Sequence, residues 1–102
     1  TSMDLEEATD RVKDKMQFAP HIRARVKFDF GQDGVIFIDT TQDPPEVSHE
    51  NKDSDVTLSC ELDLFERFLT GKRNPNIAFM MGRLHVKGSM PIALKLNSVL
   101  EG

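Results

Sequence analysis

Apolar and polar residues alternate most regularly between Ile22 and Phe30, where every second side chain is apolar and the positions between are charged. A period of two predicts a β-strand with one buried face and one face in water, as in an antiparallel sheet. The segment Gly31–Gly34 predicts a tight turn, so Val35–Thr40 is expected to return as the second strand of a hairpin.

Three more strands are predicted farther along the chain. Val56–Leu62 alternates in the same way, and a short strand is predicted over Val47–Glu50, between a proline-containing segment and a polar turn. Arg83–Gly88 is predicted to be the last strand, with Leu84 and Val86 pointing inward.

Helical spacing is found at both ends of the chain. Residues 4–16 place their apolar side chains on one stripe, and Asp4 followed by Glu7 is typical of a capped helix start. This helix is expected to end at Ala19-Pro20. Asp63 and Glu66 predict a similar start for a second helix. Its apolar residues are Leu64, Phe65, Phe68 and Leu69, and Gly71 stands where it should end.

Two further helices are predicted near the C-terminus. Asn74-Pro75 is typical of a helix start, and the short helix that follows is expected to end at Gly82. Ser89 starts a final helix that continues to about Leu100. Strands dominate early and helices late, which indicates an α+β fold with helices on one face of a mostly antiparallel sheet. Residues 1–102 are interpreted as a single domain.

Composition narrows the classes of function. The net charge of −4 argues against a nucleic-acid partner and disfavours constitutive docking to anionic lipid. The single cysteine, Cys60, excludes an internal disulfide and indicates a reducing, cytoplasmic location. No signal peptide or membrane-spanning run is recognised, and Thr1 and Ser2 are interpreted as remnants of an expression tag.

Catalytic and metal-binding motifs are not evident in the sequence. His21, His49 and His85 lack metal-ligand spacing, and no nucleotide-binding motif is present, so neither metal nor cofactor is predicted. Cys60 is expected to be an inert core residue. Asp29 and Asp39 could face each other across the hairpin as an acid–base pair, although solvated carboxylates on a strand are commoner.

The last two predicted helices carry more apolar residues than one buried stripe requires. Residues 77–81 are apolar on all sides, and residues 90–100 have few polar interruptions. Composition leaves two interpretations open: these helices close the core, or they wall a cavity. Methionine favours the cavity, because its flexible thioether adapts to variable apolar shapes.

The second half of the chain resembles the sterol carrier protein 2 domain family. The matching residues are Asp55-Val56-Thr57-Leu58, Phe68-Leu69-Thr70-Gly71-Lys72, Asn74-Pro75, Ala78-Phe79-Met80, Gly82-Arg83-Leu84, Val86-Lys87-Gly88, Met90 and Ala93-Leu94-Lys95-Leu96. The resemblance implies a five-stranded sheet whose helices enclose an apolar tunnel. It also implies a non-enzymatic domain that carries or presents a sterol, fatty acid or fatty acyl-CoA and allows transient membrane contact.

Carried over by position, the resemblance implies ten residues that line or cover the tunnel. They are Phe65, Phe68, Phe79, Met80, Met81, Leu84, Val86, Met90, Leu94 and Leu96. Pro91 stands where the family often has Gly, so the last helix starts more rigidly, and Asn97 stands where several members have Gln. The C-terminus lacks a peroxisomal tripeptide, which favours a compact stand-alone form of the bacterial kind.

Three functions therefore compete. The first is a lipid carrier, and the second is an interaction module or accessory subunit of a lipid- or quinone-metabolising enzyme. The third is a small thioesterase-like enzyme that would use Asp29 or Asp39. The sequence favours the carrier and leaves the ligand's identity and the oligomeric state open.

Overall fold

The computed structural model describes residues 3–19 and 22–101. Thr1 and Ser2, interpreted above as remnants, Pro20, expected to end the first helix, and His21 lie outside the described residues. The helices and strands follow one another in this order: α1 (Leu5–Met16), β1 (Arg25–Asp29), β2 (Val35–Asp39), β3 (Glu46–Ser48), β4 (Val56–Ser59), α2 (Leu62–Leu69), α3 (Pro75–Met80), β5 (His85–Gly88) and α4 (Met90–Leu100). A turn of 3-10 helix, Gly31–Asp33, joins β1 to β2.

The five strands form one sheet in the order β3-β2-β1-β4-β5. β1 and β4 are parallel, and the other neighbouring pairs are antiparallel, which confirms the mostly antiparallel α+β fold. β1 lies at the centre, where Val26 is opposite Ile38 on one side and Val56 on the other. The inward side chains of β1, β2 and β4 are almost fully buried, as the alternating pattern predicted.

The helices cover the inner face of this sheet and complete the core. Phe65 of α2 is central: its ring centroid lies 5.2 Å from that of Phe28 and 4.9 Å from that of Phe30. Phe68 follows at 6.5 Å from Phe65 in an edge-on arrangement. Tilted aromatic pairs of this kind add about 0.5–1.5 kcal/mol each to the burial of their area.

The outer face of the sheet is partly covered by a loop that the sequence did not predict to pack there. Residues 49–55 run from the edge strand β3 back to β4, which lies beyond β1. The Lys52 ammonium lies 5.3 Å from the ring centroid of Phe37, and the Lys27 ammonium donates to Asn51 Oδ1 at 2.8 Å. Phe37 is only 2% exposed although it points away from the helices. The crossover therefore shields an apolar outer position that would otherwise meet water.

Several predicted boundaries move by a few residues. β4 ends at Ser59, and Leu62 starts α2, whereas the pattern extended the strand to Leu62. The second capping prediction was wrong, because Glu61 rather than Asp63 precedes the helix and makes no side-chain cap. Burial of Leu62 in the core explains the shift, since packing of an apolar residue outweighs a cap of about 1 kcal/mol.

The remaining predicted helix ends are confirmed. The Asp4 carboxylate accepts from the Glu7 amide at 2.8 Å, and the Ser89 hydroxyl accepts from the Ile92 amide at 3.4 Å. Gly88, just before Ser89, has a φ of 100° and approaches β4 so closely that a Cβ would lie 2.4 Å from the Asp55 carbonyl oxygen. Only glycine fits this connection between β5 and α4.

A candidate binding site between the last two helices

α3 is a short helix that is held by few buried side chains. The Asn74 side chain starts it by accepting hydrogen bonds from the amides of Asn76 and Ile77, at 2.8 and 3.2 Å. Only Pro75 and Ala78 are buried, and the other apolar residues of this segment are exposed: Ile77, Phe79, Met80 and Met81. A helix anchored by two small side chains opens at low free-energy cost.

α4 buries one stripe and leaves further apolar residues beside it. Its buried residues are Ala93, Leu96, Asn97 and Leu100, which share one side of the helix. Met90 and Leu94 lie next to that stripe and are exposed. The prediction that this helix carries surplus apolar residues is therefore confirmed for Met90 and Leu94.

Two side-chain hydrogen bonds set the register between these helices. Asn74 Nδ2 donates to Glu101 Oε1, and Asn97 Nδ2 donates to Asn76 Oδ1 at 2.8 Å. The helices are thus antiparallel. One turn farther along α3 from Asn76 is Met80, and one turn back along α4 from Asn97 is Leu94. The antiparallel register therefore places Leu94 level with Met80.

We call the resulting surface the α3–α4 face and define it by Phe79, Met80, Met90 and Leu94. Met80 is the most exposed member at 83%. Four large apolar side chains exposed on two neighbouring helices exceed the scattered apolar residues normal for a soluble domain. Such a face indicates a binding surface for an apolar molecule or partner.

A buried amide lies in α4 where that helix meets α3. Asn97 is 3% exposed, and its Oδ1 has no hydrogen-bond partner among the described residues. An unpaired buried acceptor of this kind costs about 1–3 kcal/mol. A hydroxyl or a protonated carboxyl group that reached this oxygen would recover that free energy.

The ten predicted ligand residues fall into two sets. The inner set packs in or against the core and consists of Phe65, Phe68, Leu84, Val86 and Leu96. The outer set is exposed on α3 and α4 and consists of Phe79, Met80, Met81, Met90 and Leu94. The shared role of the inner and outer sets in lining a tunnel stays a prediction. Asn97 was noted in the sequence only as a substitution, because burial of a polar side chain depends on helix packing.

An open groove of about 580 Å³ lies elsewhere, between the end of α1 and strands β2 and β3. Its apolar floor includes Met16, Ile22, Ile38 and Val47. The sequence placed Met16 and Ile22 on apolar faces and could not show that packing leaves the edge of this region accessible. Pro44 and Pro45 form part of the rim.

The proposed acid–base pair of Asp29 and Asp39 is wrong. Asp39 is opposite Arg25, and Asp29 is opposite Val35 four residues farther along β1, which separates the two carboxylates by about 14 Å along the strand. The Thr41 hydroxyl donates to Asp39 and lowers the pKa of that carboxyl group. Asp29 accepts from the Gly31 amide at 2.9 Å, so each carboxylate stabilises a turn.

Cys60 follows β4 and is half-buried beside the core. Burial raises the pKa of its thiol from 9.0 to about 12, with a smaller contribution from the Glu61 carboxylate. The thiolate needed for nucleophilic attack is therefore scarce at neutral pH, in agreement with the inert role predicted for it.

Within residues 3–19 and 22–101, His, Cys, Asp and Glu do not gather in groups of three that could hold a metal ion. Helices in the same part of the chain fall short of the length and apolar character needed to cross a bilayer.

Comparison with known sequences identifies one family. A sequence profile of the SCP-2 sterol transfer family matches residues 5–101. A segment of 47 residues is 45% identical to Hydroxysteroid dehydrogenase-like protein 2 of Xenopus tropicalis, covering 46% of this chain and 11% of that protein. The chain therefore spans only a small part of the length of that relative.

Solved structures agree with the family match. Sterol Carrier Protein 2 from Yarrowia lipolytica in its apo form superposes with a TM-score of 0.68 at 26% identity, covering 90% of this chain and 75% of that one. Sterol Carrier Protein-2 from Aedes aegypti in complex with palmitate superposes with a TM-score of 0.72 at 17% identity, covering 96% of both chains, and shares the fold. With the family profile matching almost the whole chain and the sheet and helices arranged alike, this chain belongs to the SCP-2 sterol transfer family.

Proposed function

We propose that this chain binds a single apolar lipid beneath the α3–α4 face and carries or presents it without catalysing a reaction. The observation that carries the proposal is the exposed apolar face on α3 and α4 together with Asn97 between these helices, whose buried amide oxygen lacks a partner among the described residues. The family match supports it, as does the palmitate bound by the Aedes aegypti relative.

Binding would begin by displacement of α3. Pro75 and Ala78 are the only buried residues of this helix, so it can move outward once its hydrogen bonds to Glu101 and Asn97 break, while α4 stays in place through its longer buried stripe. Phe79, Met80, Met90 and Leu94 would then turn their apolar surface from water to the lipid. Each methylene group buried in this way is worth roughly 0.8 kcal/mol.

The inner set of predicted residues would form the deep wall once α3 has moved. Phe65, Phe68 and Leu96 are fully buried in the core, so an acyl chain or a ring system has to insert beside them. Val86 is half-buried, and Leu84 lies next to the turn that ends α3. The predicted tunnel is therefore proposed as a feature of the ligand-bound state.

Asn97 favours ligands that carry a hydroxyl or a protonated carboxyl group. Its free Oδ1 is an acceptor, and an O–H donor completes its hydrogen bonding, whereas the thioester of an acyl-CoA offers no donor. Among the lipid classes implied by the family, sterols and fatty acids are thus preferred to fatty acyl-CoA. The single cysteine supports a cytoplasmic place for this carrier.

Lipid binding is tested by organic extraction of the purified protein with mass spectrometry, and by thermal unfolding with added lipids. A ligand present at about 100 times its Kd raises the free energy of unfolding by about 2.7 kcal/mol. We expect a sterol or a long-chain fatty acid to be released or to raise Tm. Neither release nor a rise in Tm across a broad lipid panel would overturn the proposal.

The alternative is a module that docks on, or presents lipid to, a larger enzyme. It is favoured by the length of the relatives, since this chain matches 11% of the Xenopus tropicalis protein and 15% of the Mus musculus protein of the same name. The α3–α4 face would then contact protein. Leu94→Asp, at an exposed position of that face, separates the two functions, because it should weaken lipid binding in a carrier and release the partner of a module, with circular dichroism as the folding control.

A further inference from the structure

Charge is distributed very unevenly along this chain. Lys and Arg number 13 in the whole sequence against 17 Asp and Glu, yet residues 67–100 contain six Lys or Arg and no acidic residue. This segment, which comprises the end of α2, α3, β5 and α4, therefore has a net charge of +6, and the rest of the chain has −10. The net charge of the whole chain is small because a basic region and an acidic region partly cancel. A charge asymmetry of this kind indicates that the basic region binds an anionic partner.

Three of these cations surround one flank of α3. A groove of about 570 Å³ is lined by Lys72, Arg73 and Arg83 together with the exposed side chains of Ile77 and Met81. We call these five residues the α3 surface. Ile77 and Met81 are one helical turn apart and line this groove, and neither belongs to the four residues that define the α3–α4 face.

The cations of the α3 surface are free to meet an external anion. The ion pairs between described residues involve Arg11, Arg25 and Lys52, and none involves Lys72, Arg73 or Arg83. The one carboxylate lining the groove, Glu101, accepts a hydrogen bond from Asn74.

We propose that the α3 surface docks the protein on anionic phospholipid bilayers. Lys72, Arg73 and Arg83 would contact lipid phosphates, while Ile77 and Met81 enter the boundary between headgroups and acyl chains. The charge of −10 on the remainder of the chain is repelled by the same membrane and orients the molecule with α3 towards it. A nucleic acid would leave the two apolar side chains in water, and the observations therefore favour a bilayer.

The proposal goes beyond lipid binding in the interior, and the two can fail separately. Docking concerns the outer flank of α3, whereas the ligand site lies on its inner side towards α4. Docking would place the movable helix against the membrane from which a lipid is collected. The α1 helix is a less suitable docking surface, because its exposed positions include Glu6, Glu7 and Asp10.

Vesicle flotation tests the proposal. The full chain is mixed with vesicles of phosphatidylcholine alone or of phosphatidylcholine with phosphatidylglycerol, at low and at high salt. We expect binding to the anionic vesicles only, and loss of that binding in 1 M salt, where the screening length falls to about 3 Å. Equal binding to both kinds of vesicle, or to neither, overturns the proposal.

A matched pair of variants locates the docking surface. Each Lys or Arg near an anionic membrane strengthens binding about fivefold, so the double variant Lys72→Gln with Arg73→Gln should lower the partition coefficient about 25-fold. The control, Arg11→Gln with Lys13→Gln, makes the same change of charge on α1 and should leave binding within about twofold. Equal losses in the two variants would show attraction by overall charge and refute a defined surface.

The apolar contribution has its own control. Ile77→Ser should weaken vesicle binding severalfold, whereas Phe18→Ser, at an exposed apolar residue after α1, should have no effect. If Phe18→Ser alone weakens binding, the membrane contacts the end of α1 and the α3 surface is wrong. Lipid-induced Tm shifts in solution should be unchanged in all of these variants, which separates docking from ligand binding.

Discussion

α1 and α4 lie in the same layer of helices, and the difference between them shows where this fold keeps its function. α1 buries Ala8, Val12 and Met16 and turns charged residues to water, so its apolar stripe matches the space offered by the core. α4, together with α3, leaves Met80, Met90 and Leu94 exposed and buries an amide. Apolar residues beyond those a core can hold are costly in a monomer and indicate a partner. The N-terminal half is thus built for stability, and the C-terminal helices are built for binding.

The largest effect is expected when a phenylalanine of the core, Phe65 in α2, is compared with an exposed phenylalanine of α3. Phe65→Ala should lower the free energy of unfolding by about 3–5 kcal/mol, because it leaves a cavity among Phe28, Phe30 and Phe68. Phe79→Ala, in the exposed helix α3, should cost about 1 kcal/mol or less. Urea unfolding measures both values. Similar costs at the two positions would contradict the division into a stable core and a loosely held binding face.

A smaller effect is expected from pH, at Cys60 beside the core. The folded protein keeps this thiol protonated up to a pKa of about 12, whereas the unfolded chain releases the proton near 9.0. The stabilising contribution is complete below pH 9 and is lost as the pH rises towards 12, at about 1.4 kcal/mol for each pH unit.

Urea unfolding at intervals above pH 9, for the wild type and for Cys60→Ala, isolates this effect from other titrations. We expect the difference in unfolding free energy between the two proteins to shrink as the pH increases. A difference that stays constant would show that the thiol is hydrated, and that the dry core ends before residue 60.

The smallest effect concerns Asn97, where binding and stability should oppose each other. Asn97→Leu removes the unpartnered oxygen, which costs about 1–3 kcal/mol, and also the Nδ2 hydrogen bond to Asn76, which contributes about 1 kcal/mol. The free energy of unfolding should therefore rise by about 1 kcal/mol. The same change should weaken binding of a hydroxyl-bearing lipid about tenfold, since that ligand loses its acceptor. Thermal unfolding with and without lipid measures both effects.

Asn76→Ala is the control for that prediction. It removes the 2.8 Å hydrogen bond from Asn97 Nδ2 while leaving the buried amide, so it should destabilise the protein by about 1 kcal/mol. If both variants destabilise to the same extent, the amide is a structural residue and its role in ligand recognition is refuted.

Most of the fold could be predicted because its signals are local. The alternation from Ile22 to Phe30, the Asp4 and Asn74 caps and the glycine at the end of α3 each act within a few residues. The resemblance to the sterol carrier protein 2 family then indicated that the strands form a single five-stranded sheet. Features that depend on contacts between distant segments were missed. The covering of Phe37 by Lys52 and the start of α2 at Leu62 are of this kind.

The candidate site was predicted less completely for two different reasons. The outer residues were identified because α3 and α4 carry apolar side chains on too many sides, but their exposure follows from packing that no pattern reveals. The isolated state of Asn97 Oδ1 depends on the docking of α3 against α4. The basic segment 67–100 was visible in the sequence all along. Averaging over the whole chain concealed it, and the proposed docking on anionic bilayers is a local alternative to the expectation drawn from net charge.

The parallel pairing of β1 with β4 has a consequence for the order in which the molecule assembles. β3, β2 and β1 are joined by short connections and can pair early in folding. β4 pairs with β1, at Val56 and Val26, only after the crossover between them has closed. Before β4 pairs with β1, the strands β4 and β5 have unpaired backbone groups at an edge, and the sheet against which α3 and α4 pack is incomplete. We therefore expect the C-terminal half to be the last to condense and the first to exchange its amide hydrogens. Late, reversible docking of this half would give a lipid a way in without unfolding of the N-terminal half.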